Sequence, residues 1–300
     1  MVRFLDETFR DTYVTLFPPI YRYNYTVLTQ KNPMGQLVFL KLGGSLITDK
    51  TRPYSPRTDQ MLALAGQIAA VKRTDPGLKI LLGHGSGSFG HTAALEYGTR
   101  SGVQTPAQWH GFSEVRFQAA SLHHLLLGAL RHAGLPAVSF PPSASATARD
   151  GRIRHWEIRP LMAALSAGLL PVVYGDVAFD TARGGTILST EDLFEYLAGR
   201  LHPQAILLAG LEEGVWADFP GRGHLLEEIT PADLPRIRKD MAAMEAADVT
   251  GAMAGKVEKM LALIRKTPEL RIMIFSAEEA GALERALKGQ RMGTIVRIPD

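Results

Sequence analysis

Lys79-Ile-Leu-Leu-Gly-His-Gly-Ser-Gly-Ser-Phe-Gly-His91 is an apolar run that breaks into a glycine-rich turn. Residues 79–83 read as a strand buried on both faces, because apolar side chains follow one another with little alternation. Gly85-Ser-Gly-Ser-Phe-Gly90 then matches the spacing G-x-G-x-x-G, which has two readings. In a dinucleotide fold an acid follows about 20 positions later, at the end of the next strand. Position 105 onward reads Thr-Pro-Ala-Gln-Trp-His, a helix start, so that context is missing. The other reading is a cradle whose backbone N–H groups face phosphate. It requires further phosphate-handling turns at the ends of other strands.

Such turns are present. Lys41 closes the apolar run 37–42 and is followed by Gly43-Gly44-Ser45. Glycines let the backbone approach an anion, and a lysine beside them meets phosphate as a point charge. His91 ends the second turn, where an imidazole donates to a phosphate oxygen or simply packs. Tyr174-Gly175-Asp176 ends the run 171–174, and an acid there either orients lysines and a magnesium-bound phosphate or caps a turn. Ser189-Thr190-Glu191-Asp192 reads equally as a helix N-cap and as a helix N-terminus that binds phosphate or ribose. Asp248-Val-Thr-Gly-Ala-Met-Ala-Gly-Lys256 is not a P-loop: its spacing is one short, and Val257 stands where Ser or Thr must hold magnesium. It reads as a glycine turn opening a helix, with Lys256 on the first turn. Lys50 by itself is a solvated loop lysine. His84, His110, His123 and His124 have no metal-ligand spacing and read as packing residues.

Apolar runs of strand length recur at 37–42, 79–83, 137–140, 171–174, 205–209, 271–275 and 294–298. Helical stretches lie between them, at 58–72, 106–133, 157–167, 189–201, 252–266 and 277–288. The alternation predicts an α/β fold, an open αβα sandwich with a mainly parallel central sheet. Residues 149–155 read as a surface turn or hairpin. Residues 36–300 read as one continuous fold with two lobes at most. Residues 1–35 hold Phe17-Pro-Pro-Ile20 and several tyrosines, with no period and no apolar signal-peptide region. They are either a segment appended to the domain or an upstream start, with Met34 the true first residue.

Three hundred residues with 46% hydrophobic content suffice for a large α/β domain. A net charge of +3 with no Lys/Arg block argues against a nucleic-acid partner. The chain has no cysteine, which excludes disulfides and cysteine-ligated zinc and fits a reducing cytoplasm. No run of about 18 apolar residues offers a membrane span.

Lys41-Leu-Gly-Gly-Ser-Leu-Ile-Thr48, His84-Gly-Ser-Gly-Ser-Phe-Gly-His91, Gly175-Asp-Val177 and Asp248-Val-Thr-Gly-Ala-Met253 with Lys256 occur in one order. In that order they resemble the amino acid kinase superfamily over about residues 36–300, and within it the isopentenyl phosphate kinases. The ending Ser-Phe-Gly-His is the most diagnostic part, since relatives acting on amino acids generally lack that histidine. The resemblance implies ATP and Mg2+ as cofactors, with no metal ligand supplied by the protein. It implies that Lys41 and Lys256 hold ATP phosphates, together with Gly43, Gly44, Ser45 and Gly87, and that Leu211 and Ala252 lie by the nucleotide. Lys50 would stabilise the charge on the transferring phosphoryl group. Ser86, Gly90, His91 and the backbone of Gly175 would bind the acceptor phosphate, and Asp176 would orient the lysines. The acceptor lobe would span about 36–180 and the nucleotide lobe about 181–300. The partner would be an isoprenyl phosphate, and the protein a cytoplasmic homodimer that binds neither nucleic acid nor membrane. Two other activities fit the same site: phosphorylation of a phosphonate such as fosfomycin, and non-catalytic nucleotide binding by a regulator. Three departures stand out. Ser86 replaces a frequent Gly or Ala, Ala252 replaces the second glycine of a pair, and Leu211 stands where relatives often carry an aspartate. The helix around 109–131 carries Phe112, Val115, Phe117, Leu122 and Leu126, which either line an apolar tail pocket or form core.

Overall fold

The structure is a computed structural model that describes residues 36–99, 102–218, 221–235 and 252–299, with side chains from Gly255 onward in the last segment. The strands are β1 Leu37–Leu42, β2 Lys79–His84, β3 Ala137–Ser139, β4 Ala146–Arg149, β5 Arg152–Trp156, β6 Leu170–Tyr174 and β7 Asp176–Asp180. They continue with β8 Gly184–Leu188, β9 Ala205–Gly210, β10 Val215–Trp216, β11 Leu225–Leu226, β12 Glu228–Ile229, β13 Arg271–Ser276 and β14 Thr294–Val296. The helices are α1 Gly44–Ile47, α2 Thr58–Thr74, α3 Gly87–Tyr97, α4 Pro106–His132, α5 Arg159–Ser166, α6 Thr190–Leu201, α7 Ala252–Lys266 and α8 Ala282–Leu287.

Eight strands form the central sheet in the order β12-β14-β13-β9-β1-β2-β6-β3. Every neighbouring pair is parallel except β13 with β14. All seven apolar runs read from the sequence lie in this sheet. Their side chains alternate between two cores, as a period of two demands. Leu37, Phe39, Leu81, Val173, Ile206 and Ile272 face the side packed by α5, α6 and α7. Val38, Leu40, Leu82, Val172, Leu207 and Met273 face the side packed by α2, α4 and α8. Two helical layers on one sheet give the αβα sandwich.

Helix boundaries follow local chemistry. Thr105 and Ser189 each close a capping box, with Gln108 and Asp192, which stabilises a helix start by about 1 kcal/mol. The helix expected at 277–288 shortens to α8 because Gly281 adopts φ 80° immediately before it. The helix expected at 157–167 begins only at Arg159, after Ile158. Helix α3 was not expected: its glycines and His91 read as a loop, yet they form its first turns. A four-stranded sheet β5-β4-β7-β8 was also not foreseen beyond its β4–β5 hairpin. Only β4 alternates buried with exposed; β7 ends at Asp180 and β8 begins at Gly184, so neither five-residue strand carries a clean apolar signal. No described helix is long and apolar enough to cross a membrane.

Candidate active site

The glycine turns after β1 and β2 lie back to back, as expected where an open sheet presents the carboxyl ends of its strands. A Cβ on Gly44 would stand 2.6 Å from the Gly87 nitrogen, and one on Gly85 would stand 2.9 Å from the Gly44 nitrogen. Gly87 has φ +51°, and a Cβ there would run into the Thr48 hydroxyl. That hydroxyl links the turns, donating to the Gly44 carbonyl at 2.7 Å and accepting from Ser88 N–H at 3.0 Å. The Gly43 N–H donates to the Ala209 carbonyl at 2.8 Å, so it is committed within the protein and not to a ligand. The N–H groups of Gly44 and Ser45 in the first turn of α1, and of Gly87 with its N-cap Ser86 at the start of α3, have no acceptor within their own helix.

Lys41 is buried at the end of β1, on the α6 side of the sheet by the strand's parity. Its Nζ meets Glu191 Oε1 at 3.1 Å. Burial by itself would raise the Glu191 carboxyl, yet Lys41 and then Lys256 hold it down at about 2. One carboxylate thus serves lysines from β1 and α7. Lys259, one turn further along α7, meets Asp192 at 2.6 Å and the Ser189 hydroxyl at 3.1 Å, fastening the two helices together. Sequence reading placed Glu191 in a helix cap and missed its partnership. Two lysines needing a buried counter-ion were the available signal.

Asp176 was expected to orient the lysines. Its carboxylate instead accepts from Val177 N–H at 2.9 Å and Ser143 N–H at 3.2 Å. Burial raises its pKa above the ordinary carboxylate value, against those hydrogen bonds and the nearby Arg116. The lysine-binding acid found beside β1 is Glu191. The Gly175 N–H donates to the His84 carbonyl at 3.2 Å, and the Thr190 hydroxyl donates to the same carbonyl at 2.6 Å. His91 is exposed on the second turn of α3, and Gly90 lies one residue before it, packed against Ser86. Lys50 is exposed on a loop closed by Asp49 N–H to the Ser55 carbonyl at 2.9 Å and Arg57 N–H to the Ile47 carbonyl at 2.9 Å. Lys256 is half-buried on the second turn of α7, not the first. Ala252 opens that helix, and residues 248–251 lie outside the described residues. Leu211 follows β9 and packs on the α2-side core.

The candidate tail residues divide. Phe112 and Val115 join Ala93, Val103 and Val177 in a small apolar cluster beside α3. Leu122 and Leu126 belong to the main core, and Phe117 is 63% exposed. A separate hollow of about 730 Å3 opens at the other end of the sheet, by the amino ends of β1, β9 and β13, near Gln36, Gln204 and Arg271.

His84 and His123 are buried against each other behind the second glycine turn. Burial lowers both pKa values, His84 to about 4 and His123 further. The unfolded chain therefore binds more protons than the native one as pH falls below about 6.5. Stability carried by the neutral pair is complete above that pH and is lost as pH falls toward 4. For His84 alone the expected loss is about 3 kcal/mol, or roughly 10 °C in Tm, and His123 adds to it in the same direction. Calorimetry from pH 7 to 4 checks it, and a Tm that is flat down to pH 4.5 would contradict it.

A model of the amino acid kinase family matches residues 36–276. The chain is 33% identical over 270 residues to the isopentenyl phosphate kinase of Methanothermobacter thermautotrophicus, covering 85% of this chain and 97% of that one. It is 30% identical over 273 residues to the isopentenyl phosphate kinase of Methanocaldococcus jannaschii, covering 88% and 100%. A solved isopentenyl phosphate kinase structure superposes with a TM-score of 0.74 at 29% identity, covering 87% of this chain and 100% of that one.

Proposed function

This chain belongs to the amino acid kinase family, and we infer that it phosphorylates isopentenyl phosphate with ATP, giving isopentenyl diphosphate and ADP. The observation that carries the reading is the pair of interlocked glycine turns, with His91 on the helix that the second turn opens. A phosphate monoester has its second pKa near about 6 and is already a nucleophile at neutral pH. Its oxygen attacks the terminal phosphorus of ATP in line, and the bond to the bridging oxygen breaks to release ADP. No protein base is needed. The protein aligns the two phosphates and neutralises charge.

In this reading the N–H groups of Gly44, Ser45, Ser86 and Gly87 face phosphate oxygens. Lys41 and Lys256, both held by Glu191, meet the nucleotide phosphates, and Lys50 approaches the transferring group from its loop. His91 takes the acceptor phosphate, and the small cluster around Phe112 and Val115 takes the five-carbon tail. No group of three or more His, Cys, Asp or Glu side chains gathers to hold a metal among the described residues. Magnesium would be carried by the nucleotide phosphates, where it would supply charge neutralisation. The acceptor belongs to the part before about residue 180 and the nucleotide to the part after it. A cytoplasmic homodimer completes the reading.

The test is ADP release from ATP and Mg2+ with isopentenyl phosphate, dimethylallyl phosphate or fosfomycin as acceptor. Turnover with the isoprenyl phosphates supports the function. Turnover with fosfomycin alone replaces the acceptor, and ATP binding without any turnover favours a regulator. His91→Ala is expected to lower kcat/KM for the acceptor about 30-fold, the loss of one charge-assisted hydrogen bond. The KM for ATP should stay within about twofold, since only the acceptor contact is lost. Equal losses toward both substrates would remove His91 from the acceptor site.

A further inference from the structure

Behind the second glycine turn runs a hydrogen-bonded chain that the reaction above does not use. His84 Nδ1 lies 3.1 Å from the Gly85 carbonyl, His84 Nε2 lies 2.9 Å from His123 Nδ1, and His123 Nε2 lies 2.7 Å from the Ser139 hydroxyl. A carbonyl only accepts, so His84 Nδ1 carries the proton. His84 Nε2 is then a lone pair and accepts from His123 Nδ1–H. His123 Nε2 accepts in turn from the Ser139 hydroxyl. This polarity satisfies all three bonds with both rings neutral. Tyr174 stacks on both rings, at 4.1 Å from His123 and 5.5 Å from His84.

The chain ends on the peptide that matters. The Gly85 carbonyl and the Ser86 N–H belong to one planar trans peptide and point in opposite directions. Holding the carbonyl toward His84 aims the Ser86 N–H away from it. Glycine at position 85 leaves that peptide easy to rotate unless something holds it. The His84 carbonyl also receives Gly175 N–H and the Thr190 hydroxyl, so His84 ties the turn to the β6–β7 junction and to the start of α6.

We propose that His123 is a positioning residue for phosphoryl transfer: through His84 it fixes the Gly85–Ser86 peptide with its N–H toward the phosphates, both rings being neutral Nδ1–H tautomers. The surrounding charges suit this. Across the sheet the Lys41 charge acts on His84, and Arg116 and His124 act on His123, so all three disfavour a further positive charge. Tyr174, stacked on both rings, and Asp176, which acts on Tyr174, are further titratable groups nearby. The kinetic part of the test rests on the kinase reading, and the tautomer part does not.

The experiment uses the full chain labelled with 15N-histidine. Two-bond 1H–15N spectra from pH 5 to 8 should show two of the nine histidines as Nδ1–H tautomers that do not titrate. Assignment follows from their loss in His84→Gln and His123→Asn. Kinetically, His123→Leu should lower kcat/KM for isopentenyl phosphate about tenfold, the effect of one hydrogen bond. His123→Asn keeps a donor near the Nδ1 position and should recover to within about threefold. An Nε2–H tautomer at either ring, or titration near the ordinary value, overturns the proposal. So do equal kinetics for the Leu and Asn variants, which would mark the histidine as filler. If the wild-type protein turns over no acceptor, the function fails, and the tautomers alone decide the relay.

Discussion

Glu191→Ala is expected to lose about 3–5 kcal/mol of stability and about 100-fold in turnover with ATP. The wild-type carboxylate is buried with Lys41 Nζ at 3.1 Å, and the Lys256 charge also acts on it. Removing it leaves Lys41 buried without its partner, and the two lysines then repel each other. Both would leave the positions that the nucleotide phosphates require. The two effects are separable. Replacing the buried pair together, as Lys41→Met with Glu191→Leu, should restore much of the melting temperature, because an apolar pair of similar volume avoids the desolvation cost. Turnover should stay low. Thermal melts and steady-state kinetics on the three proteins check this. A Glu191→Ala protein with wild-type Tm and turnover would show that the pair holds neither the fold nor the lysines.

Gly44→Ala should be nearly as damaging from one added methyl group. The new Cβ would stand 2.6 Å from the Gly87 nitrogen and 2.7 Å from its Cα. Both are backbone atoms, so no flexible side-chain tip can give way. The two turns must part, at a cost of about 1–3 kcal/mol in overpacking. A shift of about 1 Å between phosphate-binding turns is enough to lower turnover about 100-fold. Gly66→Ala is the control. Gly66 is exposed within α2, its added Cβ meets nothing within 4 Å, and helix propensity favours alanine there by up to about 1 kcal/mol. Wild-type activity in Gly44→Ala would mean that the turns need not touch.

The strands of the central sheet were legible because burial on both faces leaves continuous apolar runs. The capping boxes at Thr105 and Ser189 marked helix starts by the same local logic. Helix α3 escaped because Gly87, Ser88 and Gly90 have poor helix propensity; the start forms because packing against the Gly44 turn overrides it. Strands β7 and β8 escaped because they are short and draw their stability from pairing with each other. In the site, the glycines, Lys41, Lys50, His91 and Lys256 were named from their place in motifs. Asp176 was named in the same way, and its carboxylate accepts from Ser143 and Val177 N–H.

The sequence by itself determined seven of the eight strands of the central sheet, most of the helices, and the direction of the side chains within them. Strand parity sends Lys41 to the α6 face and His84 to the α4 face, whatever waits there. Tertiary structure decided the partners. Glu191 reaches Lys41, and His123 reaches His84, because α6 and α4 cross the sheet at those points. Backbone preference and period are local properties of a few residues. The identity of a buried counter-ion depends on how distant segments pack, and spacing along the chain carries no record of it.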